Sequence, residues 1–352
     1  MTCFRDGEVT LRHNKKCSGI MEALQEVGYQ GVRKGDLVIH DLDAFDGAIG
    51  VSDSDGKTTP ACAVCQTQQG ADAHYMALLF REMARNGFLL SAARGVRERI
   101  VDLLFGNYAS MFIPLPLLSE QKAIVKFVSV FDQNLNHLIR SKERLVELLE
   151  EQISAIVHQS VNRSDVESAR LKAVFACLNH RRTPLTASKR GSMGGEYPYY
   201  GASGIIDRLD AYAFDDELLL IAEDGANMIS RRQPLAIIAR GRFSVNNHAH
   251  VLKPRLGCTE YWALVLESMS FLPWLTGAAQ AKLTQEKLMS IHIPCPPEGE
   301  QQAIVERITT ETRGLRAAIE KARRELELLR EYRERLVSDL VTGILFVENL
   351  TN

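Results

Sequence analysis

Apolar residues recur at alternating intervals of four and three in one long stretch: Leu135, Ile139, Val146, Leu149, Ile153 and Ile156, with Lys142 the charged interruption. That spacing is the seam of a coiled coil. It predicts a helix over 119–158 with Ser119 as its N-cap, and about 40 helical residues would span about 60 Å. The pattern returns near the end of the chain at Leu315, Ile319, Ala322, Leu326, Leu329, Leu336 and Leu340, with Arg333 inside the seam and Gly299 in the place of Ser119. Glu, Arg and Lys fill the remaining faces of both helices, as expected of a solvated surface. Neither helix carries a second seam strong enough for a large bundle. The two are therefore expected to pack on each other. With a whole domain between them in the chain, they can run antiparallel and hold two domains apart.

Elsewhere the period shortens. GVRKGDLVIHDLDAFDGAIGVSDSDGKTTPACAVCQT reads as short strands broken by Gly/Asp turns, and HYMALLFREMAR, 74–85, as a helix. A second module repeats the plan. ELLLIAEDG, 217–225, and PLAIIARGRFSVNNHAHVLKP, 234–254, read as strands, and YWALVLESM, 261–269, as a helix. Each module ends in a proline corner: IPLPLLSEQKAIV at 113–125 and IPCPPEGEQQAIV at 293–305, 180 residues apart. The prolines stop the preceding strand or loop, and Glu-Gln opens the helix.

The pattern predicts a mixed α/β protein: two α/β domains separated by two long helices that form an antiparallel coiled coil. The expected boundaries are a first module at 1–112, a corner and helix at 113–163, a second module at 164–292, a second corner and helix at 293–343, and a tail at 344–352. The first module has no counterpart to RRTPLTASKRGSMGGEYPYYGASG, so it is expected to be shortened at its N-terminus.

Composition excludes more than it selects. A length of 352 residues suits two or three domains, and a net charge of −2 gives no basic domain of the kind that grips phosphates indiscriminately. The cysteines, 7 in all, are scattered and form no disulfide framework. The opening residues lack a signal-peptide apolar region, and no apolar run is long enough to span a membrane, so a cytoplasmic protein is the expectation. Neither a GxxxxGK[ST] loop nor a GxGxxG after a strand is present, and Glu223-Asp224-Gly225 reads as a turn. Cys62 and Cys65 have half-site spacing for zinc with His74 as the nearby third group, but small buried residues on a strand are the simpler reading. His248 and His250 could share a metal, yet no third ligand is evident; side chains that satisfy backbone groups between strands are favoured there.

These residues carry a family resemblance. YPYYGASGIID, LLLIAEDGAN and FSVNNHAHVLKP, within 197–254, resemble one recurrent kind of target-recognition domain, and YQGVRKGDLVIHDLDAFDGAIGVSDSDG, 29–56, resembles another. The two proline corners resemble the family's entry into its conserved helices. The chain as a whole resembles the DNA-specificity subunit of a type I restriction–modification system. The resemblance implies that each module reads one half of a bipartite double-stranded DNA sequence, and that the helix pair is the ruler between the halves. It implies two modification (methyltransferase) subunits and translocating restriction subunits as partners. It also implies no catalytic centre and no cofactor in this chain, because the S-adenosylmethionine site belongs to the modification subunit. Over 181–256 the Lys and Arg residues outnumber Asp and Glu by three. From charge and turn context, the DNA contacts are expected among Arg182, Lys189, Arg190, Arg208, Arg231, Arg232, Asn246 and Asn247. The competing readings are a coiled-coil scaffold that reads no DNA, a defective shortened subunit, and a small-molecule enzyme built on the Asn246–His250 region.

Overall fold

The computed structural model describes residues 1–15, 28–41, 43–92, 111–191, 194–224, 227–231, 233–277 and 281–350. The chain divides into two compact units: one is Met1–Glu143 with Arg323–Asn352, the other Arg144–Ala322. Two helices of 44 residues, Leu118–Val161 and Glu298–Val341, contribute a segment to each unit. At 1.5 Å per residue each is about 66 Å long. Their starts differ from the expected caps. The carbonyls of Leu117 and Pro297 accept the first intrahelical bonds, from Gln121 and Gln301, so Ser119 and Gly299 lie inside the first turn.

In the first unit, short strands lie against a helix of 13 residues. β1 (Thr2–Cys3) pairs with β2 (Val9–Thr10), and β3 (Gln30–Val32) with β6 (Gly56–Thr58). A three-stranded antiparallel sheet runs in the order β5 (Ile49–Val51), β4 (Leu37–His40), β7 (Cys62–Cys65). Helix α1 (Ala73–Arg85) starts at Asp72, whose carboxylate accepts from the N–H groups of His74 and Tyr75. Its apolar face, Tyr75, Leu79, Phe80 and Met83, shares a core with Leu37, Ile39 and Ile49 of the sheet and with Ile124, Val128, Leu336 and Leu340 of the long helices. Cys62 and Cys65, three apart on one strand, face opposite sides. Cys62 packs with Val9, Val32 and Val38, whereas Cys65 lies against the core that holds Tyr75. The two thiols therefore cannot converge on one ion.

The second unit is built on a six-stranded sheet in the order β11 (Gly204–Leu209), β10 (Tyr197–Gly201), β13 (Ala236–Val245), β12 (Phe214–Ala222), β14 (Ala249–Pro254), β9 (Phe175–Cys177). Only the β10–β13 pair is parallel. One face of β12 sends Leu218 and Leu220 into a core with Phe214, Phe243 and Val251; the other sends Leu219 and Ile221 toward helix α2 (Thr259–Ser268) and its Trp262. The period-2 alternation of LLLI explains both cores. A two-stranded piece, β8 (Ser168–Arg170) with β15 (His292–Pro294), closes the entry to the second long helix, and Ile293 is fully buried.

The seam forms as its spacing predicts. Between residues 133 and 156 the positions that are not exposed are Leu135, Ile139, Lys142, Val146, Leu149, Ile153 and Ile156. On the second helix Leu315, Ile319, Ala322, Leu326, Leu329, Arg333, Leu336 and Leu340 are likewise covered. The helices run antiparallel in each unit. In the first, Arg333 makes a bidentate pair with Asp132 (2.7 and 2.6 Å) and Lys142 bonds Glu325, so the charged interruptions of both seams have partners on the facing helix. In the second, Val146 packs with Ile319 and Ala322, and further along Val157 and Val161 share a core with Ile304 and Ile308.

Candidate nucleic-acid interface

The residues singled out by charge and turn context fall into separate groups in the second unit. The first group surrounds Glu223, at the end of β12. Its carboxylate is almost fully buried and holds Arg182 at 2.6 Å and Lys282 at 2.8 Å. Burial would raise the Glu223 pKa, but the Lys282 and Arg182 hydrogen bonds outweigh it and hold the carboxyl below its usual range. Arg182 also donates to the carbonyls of Asn179 and Ala249, at 3.1 Å each, and toward Asn247 at 3.4 Å. The guanidinium is thus bound into the fold.

The turn from β13 to β14 completes this group. Asn246 is buried, and its side-chain oxygen accepts from the His248 N–H at 2.8 Å; Asn247 is exposed. His248 Nδ1 lies 2.9 Å from Asp224. His250 is fully buried and is fixed from both sides. Its Nε2 must donate, because its partner is the Leu283 carbonyl (2.7 Å), so in the neutral ring Nδ1 accepts from Asn179 Nδ2 (2.9 Å). Burial pushes the His250 pKa down, opposed by the Leu283 carbonyl and by Glu223. His248 and His250 therefore serve different partners. Among the described residues no three His, Cys, Asp or Glu side chains are grouped to hold a metal ion.

The second group lies beside β10 and β11. Arg190 pairs with Asp207 at 3.2 Å, donates to the Leu185 carbonyl at 2.9 Å and lies over the Tyr199 ring. Arg208 is exposed and donates to the Glu196 carbonyl at 2.7 Å; Lys189 is exposed on the neighbouring short helix, Ala187–Gly191. Arg231 stands apart from both groups. It has a left-handed backbone (φ 49°), donates to the Met269 carbonyl at 2.6 Å and pairs with Glu267, closing the C-terminal end of α2. Arg232 lies outside the described residues.

Three further basic residues show why the local excess of positive charge does not make a basic surface. Arg240 and Arg242 stand directly opposite Glu217 and Asp215 across β13 and β12, paired at 2.8 and 3.1 Å, and Lys253 bonds Asp216. A signal for this was present in Asp-Asp-Glu and Arg-Gly-Arg on consecutive strands. It becomes readable only once the antiparallel register is known.

A family model described as the type I restriction modification DNA specificity domain matches residues 163–328. A protein of Haemophilus influenzae provisionally named type I restriction enzyme specificity subunit S.HindORF215P is 39% identical over 144 residues, 40% of this chain and 36% of its own. The type I restriction enzyme EcoDI specificity subunit of Escherichia coli is 24% identical over 160 residues, 44% of this chain and 34% of its own. The matched stretches thus span about a third of the length of these two relatives. A solved chain from a study of complex assembly and conformational transition of the type I R-M system has the same fold, with a TM-score of 0.71 at 16% identity, covering 90% of this chain and 84% of that one.

Residues 163–328 are thus similar to the type I DNA-specificity domain. In that light the motif residues can be sorted by what they touch. Glu223, Asp224, Asn246 and His248, within the stretches that carried the resemblance, bond one another and the backbone of the head. The recurrent motif is thus scaffold in this head.

Proposed function

We propose that the chain is the non-catalytic subunit that gives a type I restriction–modification complex its DNA specificity. Each α/β head reads one half of a bipartite target, and the antiparallel helix pair spaces the halves. The observation that supports this most directly is the repeated corner-plus-helix unit joined to two heads with different sheets. One turn of B-DNA spans about 34–36 Å, so helices of about 66 Å are long enough to separate the heads by more than one turn, depending on tilt. The domain boundaries expected from the sequence belong to this reading.

Within the second head we assign outward reading or phosphate contact to Lys189, Arg208 and Asn247, and to Arg232 on its sequence context. Arg182, Arg190 and Arg231 are each held by two or more protein partners and Asn246 is buried, so these four act by shaping the surface. Phosphate contacts fix register while base-edge contacts specify. A chain with a net charge of −2 supplies little of the phosphate grip, and this function falls to partner subunits.

Two modification subunits are the partners placed on the helix pair, and restriction subunits join the assembled complex. Leu138, Leu145 and Leu148 on the first long helix, and Leu328 and Tyr332 on the second, are large apolar residues exposed outside the seam. They suit a protein contact. The test is co-purification of the full chain with the methyltransferase encoded beside it, followed by mapping of methylated adenines. A bipartite consensus is expected. Failure to capture any methyltransferase, or methylation without sequence preference, contradicts the proposal.

A further inference from the structure

The two proline corners are repeated in bonding as well as in sequence. In the first, Gln121 is fully buried. Its Nε2 donates to the Pro116 carbonyl (2.8 Å) and to the Gly70 carbonyl (2.8 Å), while its Oε1 accepts the N–H of Asp72 (2.8 Å). In the second, the buried Gln301 donates from Nε2 to the Pro296 carbonyl (2.9 Å) and accepts at Oε1 the N–H of Cys258 (3.1 Å). Asp72 and Cys258 are the residues that start α1 and α2. One glutamine thus ties the proline corner to the first residue of the head's helix, in both heads.

A tyrosine repeats in the same way. Tyr75 of α1 has its hydroxyl 3.1 Å from the Pro114 carbonyl, and Tyr261 of α2 has its hydroxyl 3.4 Å from the Pro294 carbonyl. Both rings are fully buried. The close approach at the second joint also depends on Gly257, which has φ 78°; a Cβ there would stand 2.1 Å from Gln301 Oε1. Glutamine suits this place because one planar amide both donates and accepts. A glutamate could not donate to the proline carbonyl, and a leucine could do neither.

What surrounds the two joints differs. One head carries a three-stranded sheet order, the other a six-stranded one. The bonds that recur are those between head helix, corner and long helix. They hold one attachment geometry for two unlike heads.

We propose that Gln121 and Gln301, with Tyr75 and Tyr261, are positioning residues that lock the rotation of each head on its long helix, and so set how strictly half-site spacing is enforced. The lock itself stands on the bonds above, whereas its effect on spacing rests on the bipartite reading. One added base pair moves a half-site by about 3.4 Å and turns it by about 35°. A head locked in rotation cannot follow that turn, but a loosened head can.

The test uses the full chain carrying Gln301→Leu, with Tyr261→Phe as the milder variant should the first not fold. Amide hydrogen exchange of the isolated chain is read first. The Cys258 amide is expected to exchange at least tenfold faster, with Leu219 and Ile221 in β12 unchanged. An unchanged Cys258 amide in folded Gln301→Leu overturns the lock; Tyr261→Phe leaves the Cys258 bond in place and is judged on the spacer measurement that follows. With the methyltransferase subunits bound, methylation of targets whose spacer differs by one base pair is expected to rise at least fivefold relative to the native spacer, with the half-sequences unaltered. An unaltered spacer preference overturns the spacing role. Absence of a bipartite target for the wild-type complex overturns the functional reading and the spacing role with it, while the exchange result still decides the lock.

Discussion

Glu223 carries more of the second head's integrity than any arginine around it, because it is the shared partner of Arg182 and Lys282 in a largely buried place. Glu223→Ala leaves Arg182 facing backbone carbonyls without its counter-charge. Discounting for the half-exposed Lys282, the loss of stability is expected to be about 2–3 kcal/mol by chemical denaturation. Acid acts on the same cluster. The Glu223 carboxyl, held low against burial by Lys282 and Arg182, contributes stability above its unfolded value of 4.5 that is lost as pH falls through the lower folded value. Burial holds His250 below 6.5, so the unfolded chain takes up that proton first and stability fades as pH drops below 6.5. Both effects have the same sign. Melting temperature is expected to fall between pH 7 and 4, and His250→Gln should flatten the part of the curve that begins at 6.5.

Exposed and covered apolar residues of the two long helices should behave differently. Ile319→Ala opens the contact with Val146 and is expected to cost about 2–3 kcal/mol, toward the lower end for a buried isoleucine because the seam is narrow. Leu138→Ala, on the exposed side, should change stability by less than about 0.5 kcal/mol and yet weaken capture of the methyltransferase in a pull-down. These helices were legible in the sequence because the four-three spacing fixes one face regardless of what the chain does elsewhere, and even Lys142 and Arg333 occupied seam places. The fate of the arginines was not legible in the same way. Arg242 meets Asp215 through a strand register, and Glu223 meets Lys282 across more than fifty residues of chain. Counting charges along the sequence finds the cations, but only the fold shows which of them are bound to the protein. The proline corners lay between these cases: their repetition was visible, whereas the amide that bonds Asp72 or Cys258 was not.

At the scale of the whole molecule the proposed function divides labour, with sequence assigned to the heads and spacing to the helices. The division suits the match of residues 163–328 to a DNA-specificity domain and the unlike sheets of the two heads. Removing one heptad from each helix, at facing positions, keeps the seam in register and shortens the pair by about 10 Å, or about three base pairs of B-DNA. The most direct measurement is a map of methylated adenines for the complete methyltransferase complex built with that shortened chain. The account predicts both half-sequences unchanged and a spacer shorter by up to about three base pairs. Altered half-sequences, or an unchanged spacer, would contradict it.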